Sequence, residues 1–328
     1  FGFCRFWSAR SEMIKKWFKK TPATIDSRGV AYSCFVDSNN KFYKEVFRFI
    51  WSLNELQKVP LSDIYVTCSS CCDQKFLDKL REIHGLNVNL RDRISQVSPP
   101  SNKWLQLECI PTDKYSHIIV NDCDKLYVSF DPLIWCNENV RAAEFVPRPT
   151  FKVFEEIFSK YDLGEPEWYK SSPDPKDELQ DARAYVNNHN GGLIIFPTAG
   201  YEEIVYLWKK WIDRLHDDIS LLGKNHRNLD QVAFSLALHE FRARMDFVPK
   251  SLDIGLNVRR FSEKWKKEKA LVLHIHGSDD RLGLLIPSES AAPELRALSN
   301  KLNVAYSEWA RDLGVFSLLN KLSAVVES

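Results

Sequence analysis

The stretch Tyr115-Ser-His-Ile-Ile-Val-Asn-Asp122-Cys-Asp124-Lys-Leu-Tyr-Val128 carries a short apolar run, Ser116 to Val120, bounded by polar residues. That pattern predicts a strand buried on both faces, at the centre of a sheet. Two carboxylates, Asp122 and Asp124, follow at i and i+2 just past the strand's carboxyl end, where α/β sheets place their ligands. Both can approach one divalent cation there, and hard oxygen donors suit Mg²⁺ or Mn²⁺ on a diphosphate. The ion is needed because carboxylates alone repel phosphate. Roughly one or two Asp-x-Asp triplets arise by accident in a chain this acidic, so the strand in front gives the triplet its weight.

Outward from this strand, apolar runs alternate with helix-period segments, the signature of an α/β fold. Strands are predicted at Val30 to Val36, Ile64 to Cys68, Leu86 to Leu90, Leu126 to Phe130, Ala142 to Val146 and Gly192 to Phe196. Further strands are predicted near Phe247 and at Ala270 to Ile275. Helices are predicted at Lys41 to Leu56, with Phe42, Val46, Phe49, Ile50 and Leu53 on one face, and at Asp73 to Ile83. Others follow at Ser101 to Ile110, Phe151 to Phe158, Tyr201 to Ile219 and Asn228 to Glu240, where Asn228 can cap the helix. A helical region spans Pro293 to Val325. Residues 161 to 181, with Gly164, Pro166, Pro173 and Pro175 among charges, read as a surface loop. The expected organisation is a basic amphipathic segment over residues 1–28, an α/β domain over 29–285 and a helical segment over 286–328.

The 328 residues carry 45 Lys and Arg against 44 Asp and Glu, a net charge of +1. This balance argues against nucleic-acid binding, which needs a clear basic excess. No apolar run has membrane-spanning length, and the first residues lack the order of a signal peptide. Residues 5–20 mix Phe6, Trp7, Ile14, Trp17 and Phe18 with six Lys and Arg, a pattern suited to peripheral contact with an anionic membrane or to packing on the domain's flank. Eight cysteines without zinc spacing read as free thiols, and no Asn-x-Ser/Thr sequon occurs. The location expected from these features is cytoplasmic, with peripheral membrane association as its variant.

Taken in order, several segments resemble the GT-A fold of nucleotide-sugar-dependent glycosyltransferases, and in detail the retaining glycosyltransferase family eight. Ala31 to Leu53 resembles that family's first strand, nucleotide loop and helix, and Asp122-Cys-Asp124 its metal-binding DxD. Asn188-His-Asn190-Gly191-Gly192 resembles the strand that closes over the sugar. Leu229-Asp230-Gln231 resembles the DQ helix. His274-Ile-His276-Gly277 resembles the HxxG segment, whose first His is a metal ligand. The usual Lys-Pro-Trp after HxxG is absent, which leaves Arg281 as a substitute. Haloacid-dehalogenase-type phosphatases also carry Asp-x-Asp after a strand, but near the domain start and followed by Thr or Val where Leu126 stands here.

The resemblance implies a mixed, mostly parallel Rossmann-like sheet flanked by helices. It also implies Mn²⁺ or Mg²⁺ held by Asp122, Asp124 and His274, with the imidazole favouring Mn²⁺. Asp37, Asn40 and Tyr43 are the candidates for the nucleotide, Lys103 for the place of an Arg before the DxD, Asn190, Gly191 and Gly192 for the sugar, and Arg281 for the diphosphate. Asp230 and Gln231 would face the anomeric carbon. The implied reaction moves a sugar from a nucleotide-sugar, UDP-linked by this resemblance, to a carbohydrate or glycoconjugate acceptor with retention. For an inverting reaction the base would be Asp230, Asp279 or Asp280. A metal-dependent phosphohydrolase or nucleotidyltransferase and a noncatalytic carbohydrate-binding domain stay open as alternatives.

Overall fold

The computed structural model describes residues 29–144, 149–170, 183–243, 245–268 and 271–326. The basic segment at 5–20, and with it the rest of 1–28, lies outside them. In chain order the elements that place the site begin with β1 (Gly29–Val36), α1 (Asn40–Trp51), β2 (Ile64–Ser69), α2 (Gln74–Arg81) and β3 (Asn87–Arg91). Next come β4 (Tyr115–Asn121), β5 (Lys125–Ser129), β6 (Arg141–Glu144), α3 (Phe151–Lys160), β7 (Trp168–Lys170), β8 (Arg183–Tyr185) and β9 (His189–Pro197). Then follow α4 (Tyr201–Asp217), α5 (Leu229–Phe241), β10 (Asp246–Val248), β11 (Ile254–Gly255), β12 (Leu271–His274), α6 (Pro293–Asp312) and α7 (Val315–Val326).

The main sheet has seven strands in the order β10-β6-β9-β4-β1-β2-β3. Neighbours β1–β2, β1–β4, β2–β3 and β6–β10 run parallel, and β9 runs antiparallel to β4 and β6. This is the mixed, mostly parallel α/β sheet expected from the alternation of elements. All of β4 is buried, as a central strand with both faces covered must be.

One core lies on each face. Val46, Phe49 and Ile50 of α1 pack with Leu319 and Leu322 of α7 on one side. On the other, Phe154 of α3, Trp208 and Trp211 of α4 and Phe234 of α5 form the second cluster. Helix α1 starts where the Asn39 side chain accepts from Lys41 N at 2.9 Å, satisfying an orphan donor of the first turn.

A second, three-stranded sheet in the order β11-β12-β5 sets the site. Strand β12 pairs antiparallel with β5, with His274 opposite Lys125. Gly255 of β11 lies opposite the same histidine. The two pairings bring residues distant in sequence, Asp124, Asp253 and His274, to one end of one small sheet.

Several local expectations differ. Residues Pro99–Leu107 form a 3₁₀ segment in place of the predicted α-helix. Asn228 makes no side-chain cap bond to α5. The C-terminal helical region is two helices, parted at Gly314 with φ 67°. Within the predicted loop at 161–181, residues to 170 are described, and β7 pairs antiparallel with β8. No helix among the described residues is long and apolar enough to cross a membrane.

Candidate active site

A cleft of about 430 Å³ opens at the carboxyl ends of β1 and β4. Its walls include Phe35, Asp37, Phe42, Lys103, Asp122, Asp124, Asn190, Asp230, Gln231, His274 and His276. This is the crevice beside a central strand where α/β folds bind ligands.

Asp124, His274 and His276 each offer a ligand atom, all within 4.8 Å of one another. His274 Nε2 stands 3.3 Å from Asp124 Oδ1, without the geometry of a hydrogen bond, so that buried oxygen has no donor. The His274 and His276 rings lie 3.4 Å apart between centroids. His276 was read only as part of its motif; the signal that marks it is a second imidazole two residues after the first, carried back by a turn. It adopts φ 51°, a left-handed conformation uncommon for a residue with a Cβ.

Asp122, expected beside Asp124 on the metal, faces the other way. Lys103 Nζ stands 2.5 Å from its Oδ1, donates to Gly191 O at 2.9 Å and lies 3.9 Å from Asp230 Oδ2. Lys103 therefore joins the turn after β4 to the head of α5. Although burial alone would lower it, the Asp122 and Asp230 carboxylates raise its pKa. Burial pushes the Asp230 carboxyl up against the pull of Lys103, and Asp230 Oδ1 and Gln231 Oε1 are buried without hydrogen-bond partners. Both residues line the cleft with these polar atoms unspent.

Burial tends to raise Asp124, but His274 and Lys125 hold it well below the usual carboxylate range. For His274, burial and Lys125 press downward, and the adjoining Asp124 and Asp253 prevail, so its pKa is raised. His276 is lowered by burial and then by His274. Glu45, on the wall beneath Asp124, is pushed up to about 7 by burial first and by Asp124 second.

The nucleotide candidates divide. Asp37 lines the cleft and is held by Arg93, whose Nε donates to Oδ1 at 2.7 Å. Tyr43 instead stacks on Phe76 at 3.9 Å between centroids and accepts from Asp73 N at 2.8 Å. Asn40 Nδ2 donates to Leu322 O at 3.2 Å. Neither lines the cleft. Phe35 and Phe42 supply its aromatic faces; the helix period assigns Phe42 to the core stripe, and it sits at the stripe's edge.

Asn190 lines the cleft, and its Oδ1 accepts from Gly192 N at 2.9 Å. A Cβ on Gly192 would stand 3.0 Å from Asp122 Oδ2 and 3.1 Å from Lys125 Cε, and one on Gly191 3.3 Å from Gln231 Cγ. The glycines thus allow close approach, of the site's own side chains. Arg281 is exposed and outside the cleft. Asp279 is spent on Lys44 at 2.8 Å and Arg48 at 2.6 Å. Asp280 accepts from Leu282 N and Leu284 N. Neither carboxylate lines the cleft.

No family model matches the chain, and no curated protein matches its sequence. Among solved structures, the chain is similar to an active-site mutant of LgtC at 11% identity and a TM-score of 0.47, over 84% of this chain and 95% of that one. It is similar to galactosyltransferase LgtC in complex with donor and acceptor sugar analogues at 12% identity and 0.45, over 87% and 99%. A third likeness is to mouse xyloside xylosyltransferase 1 in its apo form, at 12% and 0.42, over 76% and 98%.

Proposed function

We propose that this chain is a metal-dependent glycosyltransferase of the GT-A type, moving a sugar from a nucleotide-sugar to a carbohydrate or glycoconjugate acceptor. The observation that carries the reading is the Asp124, His274 and His276 cluster within 4.8 Å, in a cleft that also holds Asp37 and Phe42 at one wall and Asp230 and Gln231 at another.

One carboxylate and two imidazoles suit a first-row divalent ion such as Mn²⁺ better than Mg²⁺, which prefers oxygen. Bound there, the ion would supply charge stabilisation to the departing diphosphate. The protein's own groups do the rest. Phe35 and Phe42 offer faces to a base, and Asp37, fixed by Arg93, offers an acceptor edge. Lys41 adds positive charge to the cleft wall, which lowers the energy of an anionic leaving group, and Lys103 offsets the charge of Asp122 and Asp230. Asn190 and Gln231 present amides to sugar hydroxyls. Retention is the proposed outcome, because Asp279 and Asp280 are committed elsewhere and Asp230 lies beside Lys103. UDP is the proposed nucleotide, residues 29–285 the proposed catalytic unit, and 286–328 the proposed C-terminal helical segment, in which α6 and α7 pack against α1.

The test is a thermal-shift panel of UDP-, GDP-, CMP- and dTDP-sugars with and without Mn²⁺, on the native chain and on Asp124→Ala. Ligands that bind the folded state raise Tm with occupancy. A shift for one nucleotide-sugar that needs Mn²⁺ and disappears in the variant supports the transferase. A phosphohydrolase would release product without an acceptor, and no shift with any ligand removes the reading.

A further inference from the structure

His274 is held from behind. Its Nδ1 lies 2.8 Å from Asp253 Oδ1, and a carboxylate oxygen can only accept, so Nδ1 carries the proton. In the neutral ring the Nε2 lone pair is thereby left facing Asp124 and His276. Asp253 is itself fixed: Lys125, fully buried on β5, pairs with Oδ1, and Asn190 Nδ2 donates to Oδ2 at 3.3 Å. A lone Asp 21 residues before His274 in the chain has no motif to mark it; it reaches the site because β11 begins one residue later and pairs with β12.

We infer that Asp253 is the positioning residue of the metal site: it selects the imidazole tautomer that presents Nε2 to the ion, and it ties that ligand to Asn190 on the cleft wall. The physical basis is general. A free histidine divides between two neutral tautomers, and only the one with Nδ1 protonated can donate its Nε2 lone pair from this side chain orientation. A carboxylate behind the ring makes that choice before the ion arrives and raises the ligand's basicity. The Lys125 ammonium and the His274 N–H both favour the ionised carboxylate in a mostly buried setting, where an unpaired charge would be unfavourable. The inference rests on the metal part of the proposed function and on no other part.

Removing Asp253 alone would strand the Lys125 ammonium, so every variant is made in Lys125→Met, itself the control. Asp253→Leu removes the acceptor, and Asp253→Asn keeps a neutral one. Free Mn²⁺ is counted by electron paramagnetic resonance in titrations of the full chain without nucleotide, and the His274 tautomer is read from imidazole ¹⁵N shifts at a pH where the ring is neutral. Expected is a roughly 10- to 100-fold weaker Mn²⁺ affinity for the Leu variant against its Met background, with the proton moved to Nε2, and recovery of most of that loss in the Asn variant. Equal Mn²⁺ affinity and an unchanged tautomer in the Leu variant would overturn the inference. If the native chain bound no Mn²⁺, the functional reading would fall, and the tautomer shift alone would decide the role of Asp253.

Discussion

The Lys103 ammonium stands 2.5 Å from Asp122 Oδ1, so the first carboxylate of the acidic pair is neutralised by the protein, whereas the second faces two histidines. Lys103→Met should therefore do more than remove a charge. It leaves Asp122 and the buried Asp230 without their shared counterion, at about 3 kcal/mol of stability, the magnitude typical of breaking a mostly buried pair. Urea denaturation checks the stability, and the affinity for UDP-sugar with Mn²⁺ should fall alongside it. A variant as stable as the parent would show that the pair is held by other groups.

Metal affinity should rise with pH. The raised pKa of His274 means that the ion must displace a proton from the imidazolium. Below that pKa the apparent affinity gains about tenfold per pH unit, and above it the dependence flattens. The same group's folded pKa lies above its unfolded value of 6.5, so its contribution to stability is present in acid and is lost as pH rises through the folded pKa. Mn²⁺ titrations between pH 5.5 and 8.5 test this, with His274→Gln expected to remove most of the slope.

Glu45 gives a second pH signature. Its folded pKa of about 7 against 4.5 makes the neutral form the favoured one, so stability falls as pH rises from the unfolded value through 7. The full effect is about 3 kcal/mol at 1.36 kcal/mol per unit. Glu45→Gln should abolish that portion of the stability profile measured between pH 4.5 and 8. An unaltered profile would mean that the carboxyl is hydrated in solution.

Gly192→Ala should loosen the site, since its Cβ would stand 3.0 Å from Asp122 Oδ2 and 3.1 Å from both Asn190 Oδ1 and Lys125 Cε. Crowding of this kind destabilises by about 1–3 kcal/mol. Gly255→Ala, where nothing lies within 4 Å of the added atom, is the matched control. Thermal denaturation of the two variants should separate them by several degrees.

Arg281→Ala should leave nucleotide affinity as it is, because the side chain is exposed and outside the cleft. Lys41→Ala should weaken it, since Lys41 lines the wall beside Glu45. Isothermal titration with UDP and Mn²⁺ distinguishes the two positions. The reverse ranking would return Arg281 to the site.

Much of the fold was legible because buried strands and amphipathic helices leave different periods. The fully apolar Ile118 to Val120 places β4 at the centre of the sheet, and the polar residues after it mark the crevice. What periodicity lacks is the pairing between distant segments. That His274 sits beside Asp124 follows from the antiparallel register of β12 on β5, a long-range fact that the residues suggested only by order. Tyr43 and Phe42 differ by one step on α1, about a quarter turn, and that step sends one ring to Phe76 and the other to the cleft. Asp253 carried no signal at all, because a single carboxylate gains meaning only from the neighbours that three strands bring to it.

His276 turns at φ 51° just before Gly277, and a residue with a Cβ held in the left-handed region typically sacrifices about 1 kcal/mol or more relative to glycine. A chain that needed only the turn would be more robust with His276→Gly, yet that exchange would delete an imidazole from the cluster. Durability and ion capture therefore oppose each other at one backbone position. Laboratory evolution of this protein for heat resistance alone would be drawn toward erasing a ligand of the proposed metal site, and screening with Mn²⁺ present is what would keep it.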